Sequence, residues 1–179
     1  MTPRGSPFPP DMFPDDVTLG EARDLLRAAV MDGEFCRCPC CGQDVFIYRR
    51  KLPSVSCRLM IAMYRRGAYA RTDGGDGYMF VPPILATIGA TAHQGGYALQ
   101  GHHWDLLERM EGKREDGSNR VGWWRLTPRG VLFVRDQVTV RKYARLYNKR
   151  RLGNLEGDHV GIREALGHRF NYDELMAGV

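Results

Sequence analysis

The chain has 179 residues, 43% hydrophobic and 26% charged, with a formal net charge of +5. That length encloses a core as one domain with appendages or as two small domains, and the composition is that of a globular protein. No apolar run approaches the ~18 residues of a membrane span, and the N-terminus lacks the basic region and apolar core of a secretory signal. The expected location is therefore cytoplasmic, and the mild positive excess permits a phosphate partner without demanding one.

Met1–Asp16 carries five prolines and little apolar content beyond Phe8 and Phe13, and reads as an arm (residues 1–16). Thr18 followed by Glu21 forms a capping box that opens a helix. Leu19, Ala22, Leu25, Leu26, Ala29 and Val30 supply its apolar face, and Gly33 ends it. Four of the five cysteines then fall within six residues, Cys36-Arg-Cys-Pro-Cys-Cys41, followed by Gly42. Cys38-Pro-Cys-Cys41-Gly42 has the composition of a zinc knuckle, in which Pro sets the turn and Gly lets backbone amides approach the thiolates. Zinc needs four ligands, and no second Cys-x-x-Cys is present. Beyond Cys38 and Cys41 the candidates are Cys36, Cys40, Cys57, His93, His102 and His103, with Cys36 and His103 the expected pair. A thioredoxin-like redox pair would sit at a helix N-terminus, whereas the β-rich Val45-Phe-Ile-Tyr48 follows here. Unliganded structural cysteines are the third reading.

The strand-like stretch runs into three consecutive cations, Arg49, Arg50 and Lys51. A second helix, capped by Ser54 or Ser56, continues to Tyr64–Arg66. Val55, Leu59, Met60, Met63 and Tyr64 form its apolar face, and Arg58, Arg65 and Arg66 lie elsewhere. Tyr78–Val81 reads as a strand ended by Pro82-Pro83, and residues 84–96 leave helix and loop open. Gly101–Met110 reads as a short helix with Trp104, Leu106, Leu107 and Met110 apolar. A polar loop follows, with Lys113, Arg114 and Arg120, then a strand, Val121-Gly-Trp-Trp-Arg-Leu126. Thr127 caps the next helix with Pro128 at its first position. Helix, basic loop, strand and Leu-Thr-Pro-x-Gly-x-x-Phe-Val make the pattern of a winged helix, whose helix enters a major groove while the hairpin loop touches the adjoining backbone.

Val138–Arg151 holds six basic residues and no acid: Arg141, Lys142, Arg145, Lys149, Arg150 and Arg151. As a strand it places Val138, Val140, Ala144 and Leu146 on one face and Arg141, Tyr143, Arg145 and Tyr147 on the other; as a helix it places Val140, Tyr143, Ala144 and Tyr147 in one stripe, and only the two β-branched valines favour a strand at its start. Cations interleaved with tyrosines suit phosphate contact and base stacking. Gly161–Leu166 and Asn171–Met176 read as two short helices, the second capped by Asn171. Phe170, Tyr172, Leu175 and Met176 are expected to dock on the core.

Cys38-Pro-Cys-Cys-Gly-Gln43, Tyr48-Arg-Arg-Lys-Leu52, Gly122-Trp-Trp-Arg-Leu-Thr-Pro-Arg-Gly130 with Phe133-Val134, and Tyr172-Asp-Glu-Leu-Met176 occur in that order. Over about residues 17–177 the chain resembles a family of small bacteriophage proteins to which no activity is attached. The resemblance implies a phage-encoded intracellular protein with a zinc-knuckle-like turn and a winged-helix-like core. Where winged helices often run Gly-Leu-Ile-Glu into the wing, this chain has Asp105-Leu-Leu-Glu108, without the glycine turn.

The expected fold is α+β. It comprises the arm, residues 17–52 as a helix with a Cys-rich knuckle and basic strand, a winged-helix-like core with a basic strand over 53–151, and C-terminal helices over 152–179. No enzyme is expected. Glu111-Gly-Lys113 with Asp105 lacks the strand a metal-dependent nuclease needs, and no phosphate-cradling, nucleophile-elbow or His-Glu-x-x-His motif occurs. The expectation is a DNA-binding protein, a transcriptional regulator with structural zinc. Arg49, Arg50, Lys51, Lys113, Arg114, Arg120, Arg141, Lys142, Arg145, Lys149, Arg150 and Arg151 would meet duplex phosphates. The alternative is an interaction protein that binds and modulates a host protein.

Overall fold

In the computed structural model, which describes residues 17–33, 35–38, 41–70, 75–112, 117 and 121–178, the expected capping box opens helix α1 (Leu19–Met31). The Glu21 N–H donates to Thr18 Oγ1 at 3.3 Å, and the Thr18 N–H donates to the Glu21 carboxylate at 3.0 Å. The Thr18 hydroxyl, donating to the Glu21 carboxylate at 2.7 Å, and then the Thr18 N–H hold that carboxyl below its ordinary range. The Pro-rich arm lies outside the described residues. The chain is a mixed α+β fold that divides into two compact units, Met1–Arg49 with Arg145–Leu152 and Arg50–Ala144 with Gly153–Val179.

In the first unit, α1 buries Ala22, Leu26 and Val30. Leu26 and Val30 pack with Cys36, and Ala29, Cys38, Val45, Ile47 and Tyr147 close over them. The stripe is narrower than the sequence pattern predicts. Leu19 and Leu25 stay exposed, because positions 22, 26 and 30 alone repeat every four residues toward the cluster. Strands β1 (Cys36–Arg37) and β2 (Asp44–Val45) form an antiparallel hairpin, with Cys36 opposite Val45 and Arg37 opposite Asp44.

In the second unit, helix α2 (Ser54–Arg65) is buried nearly all round, at Val55, Ser56, Cys57 and Leu59 through Met63. Neither serine caps it: Pro53 is the N-cap, and Ser56 is buried with its hydroxyl accepting the Gly101 N–H at 3.0 Å. After α2 come strand β3's successor β4 (Met79–Phe80) and helices α3 (Pro82–Thr87) and α4 (Ala92–Ala98), β3 itself being Tyr48–Lys51. A 3-10 segment Leu99–Trp104, β5 (Leu107–Arg109), β6 (Trp123–Leu126) and α5 (Pro128–Val134) complete this part. Strand β6 lies between β4 and β5 and is antiparallel to both, with Phe80 opposite Trp123 and Glu108 opposite Arg125.

The helix expected over Gly101–Met110 is therefore a 3-10 segment that stops at Trp104. Asp105 takes a left-handed conformation (φ 59°), and the Leu106 N–H reaches back to the Gly101 carbonyl, turning the chain into β5. Trp104 is fully buried and donates its indole N–H to the Arg141 carbonyl at 2.7 Å. Thr127 caps α5 as the sequence predicts, accepting the Gly130 N–H at 2.9 Å and donating to the Asp105 carbonyl at 2.7 Å.

Strands β7 (Val140–Tyr147) and β8 (Arg150–Val160) form a sheet of order β3–β7–β8. Val140, Ala144 and Leu146 are buried and their alternates are not, which is the strand reading of the basic segment. Helices α6 (Ile162–Leu166) and α7 (Tyr172–Ala177) follow, α7 capped by the Asn171 side chain. Tyr172 donates its hydroxyl to the Val134 carbonyl at 2.8 Å, and Arg58 lies 4.4 Å from the Phe170 ring centroid, so the C-terminal segment docks as expected.

Gly130 packs so tightly that a Cβ there would lie 2.0 Å from the Leu106 carbonyl oxygen, a backbone atom that cannot swing away. Gly130→Ala should therefore cost at least ~2 kcal/mol, lowering Tm by about 4–8 °C. Thermal unfolding of the two proteins checks this, and an unchanged midpoint would contradict the packing described.

Candidate nucleic-acid interface and cysteine hairpin

Helices α3 and α4 form a close pair. Pro82 and Pro83 open α3, where missing N–H groups cost nothing. Thr91 and Gln94 make a capping box that starts α4. A Cβ on Gly95 would sit 3.6 Å from Leu85, so α4 approaches α3 along its glycine side. On α4, Ala92, His93 and Gly96 are exposed, and Gln94 and Tyr97 half-buried. The His93 ring lies 5.3 Å from the Tyr97 ring, and the Arg50 guanidinium lies 5.8 Å from the same ring. Arg50 is thus the sequence-predicted cation that the fold sets beside α4. The Thr-x-x-Gln signature is the sequence signal for this helix, in a stretch whose small residues hide its period.

Strand β5 leaves α4 by way of the 3-10 segment and pairs with β6. Glu108 and Arg125, directly opposite, form a half-buried ion pair, and Arg125 also lies 4.5 Å from the Tyr78 ring. Lys113, Arg114 and Arg120, between these strands, lie outside the described residues.

The remaining predicted cations divide between the units. Lys51, Arg141 and Lys142 belong to the second with Arg50. Arg141 donates to the Gly157 carbonyl at 2.8 Å, and Lys142 pairs with Glu164 at 3.2 Å. Arg49, Arg145, Lys149, Arg150 and Arg151 belong to the first. The last three sit at or beside the turn joining β7 to β8, where Lys149 and Arg150 are exposed.

The cysteine hairpin is built as its sequence suggests. The Cys38 N–H donates to the Gln43 carbonyl and the Gly42 N–H to the Cys38 carbonyl, both at 2.8 Å. Gly42 has φ +68°, a conformation that favours glycine. Cys41 is exposed, Cys38 half-buried, and Cys36 fully buried in the apolar cluster with Leu26 and Val30. Cys40 lies outside the described residues. Cys57 is inside α2's packing, where burial pushes its thiol far above the ordinary range. His103 belongs to the second unit, buried and 3.8 Å from the His102 ring centroid. Among the described residues no three His, Cys, Asp or Glu side chains gather as a metal group, so Cys38 and Cys41 supply two thiols and fall short of a tetrahedral zinc set.

Among the described residues no helix is long and apolar enough to cross a membrane. Comparison with family models, curated proteins and solved structures finds no match to this chain.

At the β7–β8 turn, Asn148 and Lys149 both have positive φ, 46° and 61°, the geometry of a two-residue type I′ hairpin. Asn tolerates it and Lys does not. Lys149→Gly should raise stability by about 1 kcal/mol, or about 2–4 °C in Tm; a drop in Tm would show that the turn is of another type.

Proposed function

We propose that the chain is a phage-encoded, winged-helix-like DNA-binding protein that acts as a transcriptional regulator inside the host cell. One observation carries the reading: helix α2, strand β4, the pair α3–α4, and the β5–β6 hairpin succeed one another with β6 central in the sheet. That is the succession a winged helix uses, with α4 in the position of the groove-reading helix and residues 110–122 in that of the wing. Exposed His93 and half-buried Gln94 offer hydrogen-bonding groups, Gly96 allows close backbone approach, and Arg50 beside Tyr97 supplies a cation for a phosphate. Lys113, Arg114 and Arg120 would add backbone contacts. The role is one of binding, without catalysis.

The test is binding to a mixed-sequence duplex across a salt titration. About five phosphate contacts give a log–log slope near −4 to −5. Changing Lys113, Arg114 and Arg120 together to Ala should make it shallower by about 2–3, since each phosphate contact contributes about one. No binding at low salt would reject the reading.

The second reading, an interaction protein that binds and modulates a host protein, is favoured by one patch. Phe80 is 43% and Val121 61% exposed, with Trp123 half-buried 5.9 Å from the Phe80 ring. Failure to bind duplex, with a host protein retained by the wild type and lost on Phe80→Ser, would favour it.

For the cysteine hairpin we propose a zinc knuckle held by Cys38 and Cys41. The support is the hairpin itself, which brings both ends of a Cys-x-x-Cys turn together under a Gly42 turn. If zinc is structural, purified protein should carry about one equivalent, and Cys38→Ser should lower Tm, because metal binding contributes folding free energy. Unchanged melting with no zinc in the wild type would discard the site.

A further inference from the structure

The second unit contains a cavity of about 440 Å³ at the start of α2, apart from the α4 face and lined in part by Lys51 and Lys142, two of the cations expected to meet duplex phosphates. Its size falls in the range of small-ligand sites. Its lining includes the apolar side chains of Leu52, Val160, Leu166 and Phe170. The lining also holds three cations, Lys51, Lys142 and Arg169, together with His168. Glu164 is the one acid in the lining, and its charge is taken up by Lys142 at 3.2 Å. Lys51 and Arg169 are exposed, and their side chains make no hydrogen bond or ion pair with any described residue. Two positive charges therefore face this space unneutralised.

The first turn of α2 adds to the same field. Ser54 is in the lining, while the N-cap is Pro53, which brings no side-chain acceptor, and the turn holds no acidic residue. The Ser56 and Cys57 N–H groups bond the Pro53 carbonyl. The two amides before them have no intrahelical acceptor, as at any helix start. Most helices offset this end with an acid or a capping oxygen. Here the same cavity is lined by the Ser54 hydroxyl and by two cations whose side chains have no partner among the described residues.

We propose that this cavity binds a phosphate group carried by a small molecule of mononucleotide size. The phosphate is held by Lys51, Arg169 and the Ser54 hydroxyl, and the organic part lies against Phe170 and Leu52. An aromatic ring and unpaired cations lining one cavity of about 440 Å³ suit a ring and a phosphoryl group together better than either alone. The inference is independent of duplex binding: a chain that ignores duplex and still answers to a mononucleotide keeps this site and loses the DNA reading.

Thermal unfolding of the full chain tests it, with dAMP, deoxyadenosine and inorganic phosphate as probes. At ten times its Kd, dAMP should raise Tm by about 3–6 °C, and deoxyadenosine should leave it unchanged. The double variant Lys51→Ala/Arg169→Ala should bind dAMP at least tenfold more weakly. Ser54→Asp places a carboxylate where the phosphate would sit. It should fold at least as well as the wild type, because an acid in the first turn offsets the helix dipole, and yet lose the response to dAMP. Release of dAMP by inorganic phosphate would mark free phosphate as a sufficient ligand, and release by duplex would mark backbone phosphate as the source of the same chemistry. No shift at 10 mM dAMP (a concentration about tenfold above a ~1 mM Kd), an equal shift with deoxyadenosine, or an undiminished shift in Ser54→Asp would overturn the proposal.

Discussion

The burial of α2 is the constraint on which the second unit depends. A helix with apolar residues on one stripe needs a neighbour on one side only. Here Cys57, Leu59, Met60 and Met63 are fully buried and Ile61 nearly so, which no single stripe accommodates. Helices α3, α4, α5, α6 and α7 and strand β6 all pack on it. Each of these elements is short, from four to seven residues, and none could stand alone in water. They hold their conformation because α2 gives each an apolar surface.

A second lock fixes how the elements after α4 connect. The Leu106 carbonyl accepts the Thr127 N–H at 3.1 Å while Gly130 passes directly over it. Thr127 meanwhile donates its hydroxyl to the Asp105 carbonyl and accepts the Gly130 N–H. Thr127 and Gly130 thus act as one unit: the hydroxyl ties the turn at Asp105 to the start of α5, and the missing side chain lets the two backbones meet. The Leu-Thr-Pro-x-Gly sequence has a physical meaning that needs no assumption about function. It fixes the Leu107–Leu126 end of the β5–β6 pair, the end opposite the loop that joins them.

Much of this was legible from the residues. The capping boxes and N-caps at Thr18, Thr127 and Asn171 are local interactions, and local chemistry decides them. The segment Val138–Arg151 fits a helical stripe as well as a strand in its sequence, and it is the burial of Val140, Ala144 and Leu146 that selects the strand. The Ser54 or Ser56 cap was not legible, because Ser56 is recruited by the Gly101 N–H, a partner 45 positions away. Nor was the break after Trp104: Leu106 and Leu107 look helical beside Trp104, and only the Asp105 reversal and pairing with β6 turn them into a strand. Helix α4 was obscured by its own composition, since Ala, Gly and Gly carry little periodic signal. At the candidate interface the sequence singled out cations, whereas the ring of Tyr97, beside which Arg50 lies, belongs to a helix it left open.

The thiols show how packing narrows chemistry that the sequence spreads evenly. Four cysteines are described, and they occupy different environments. Cys57 is enclosed in α2's packing with its pKa driven up, which removes the thiolate that metal binding or redox exchange requires. Cys36 lies in the apolar cluster beneath α1, where it fills space like any small hydrophobe. Cys38 is half-buried at the edge of that cluster, and Cys41 is open to water on the far side of the turn. Reactivity therefore increases along a single hairpin, from the buried strand to the exposed turn. Any chemistry of the described cysteines, metal or redox, begins at Cys41 and Cys38, and Cys36 joins it only if the α1 cluster opens.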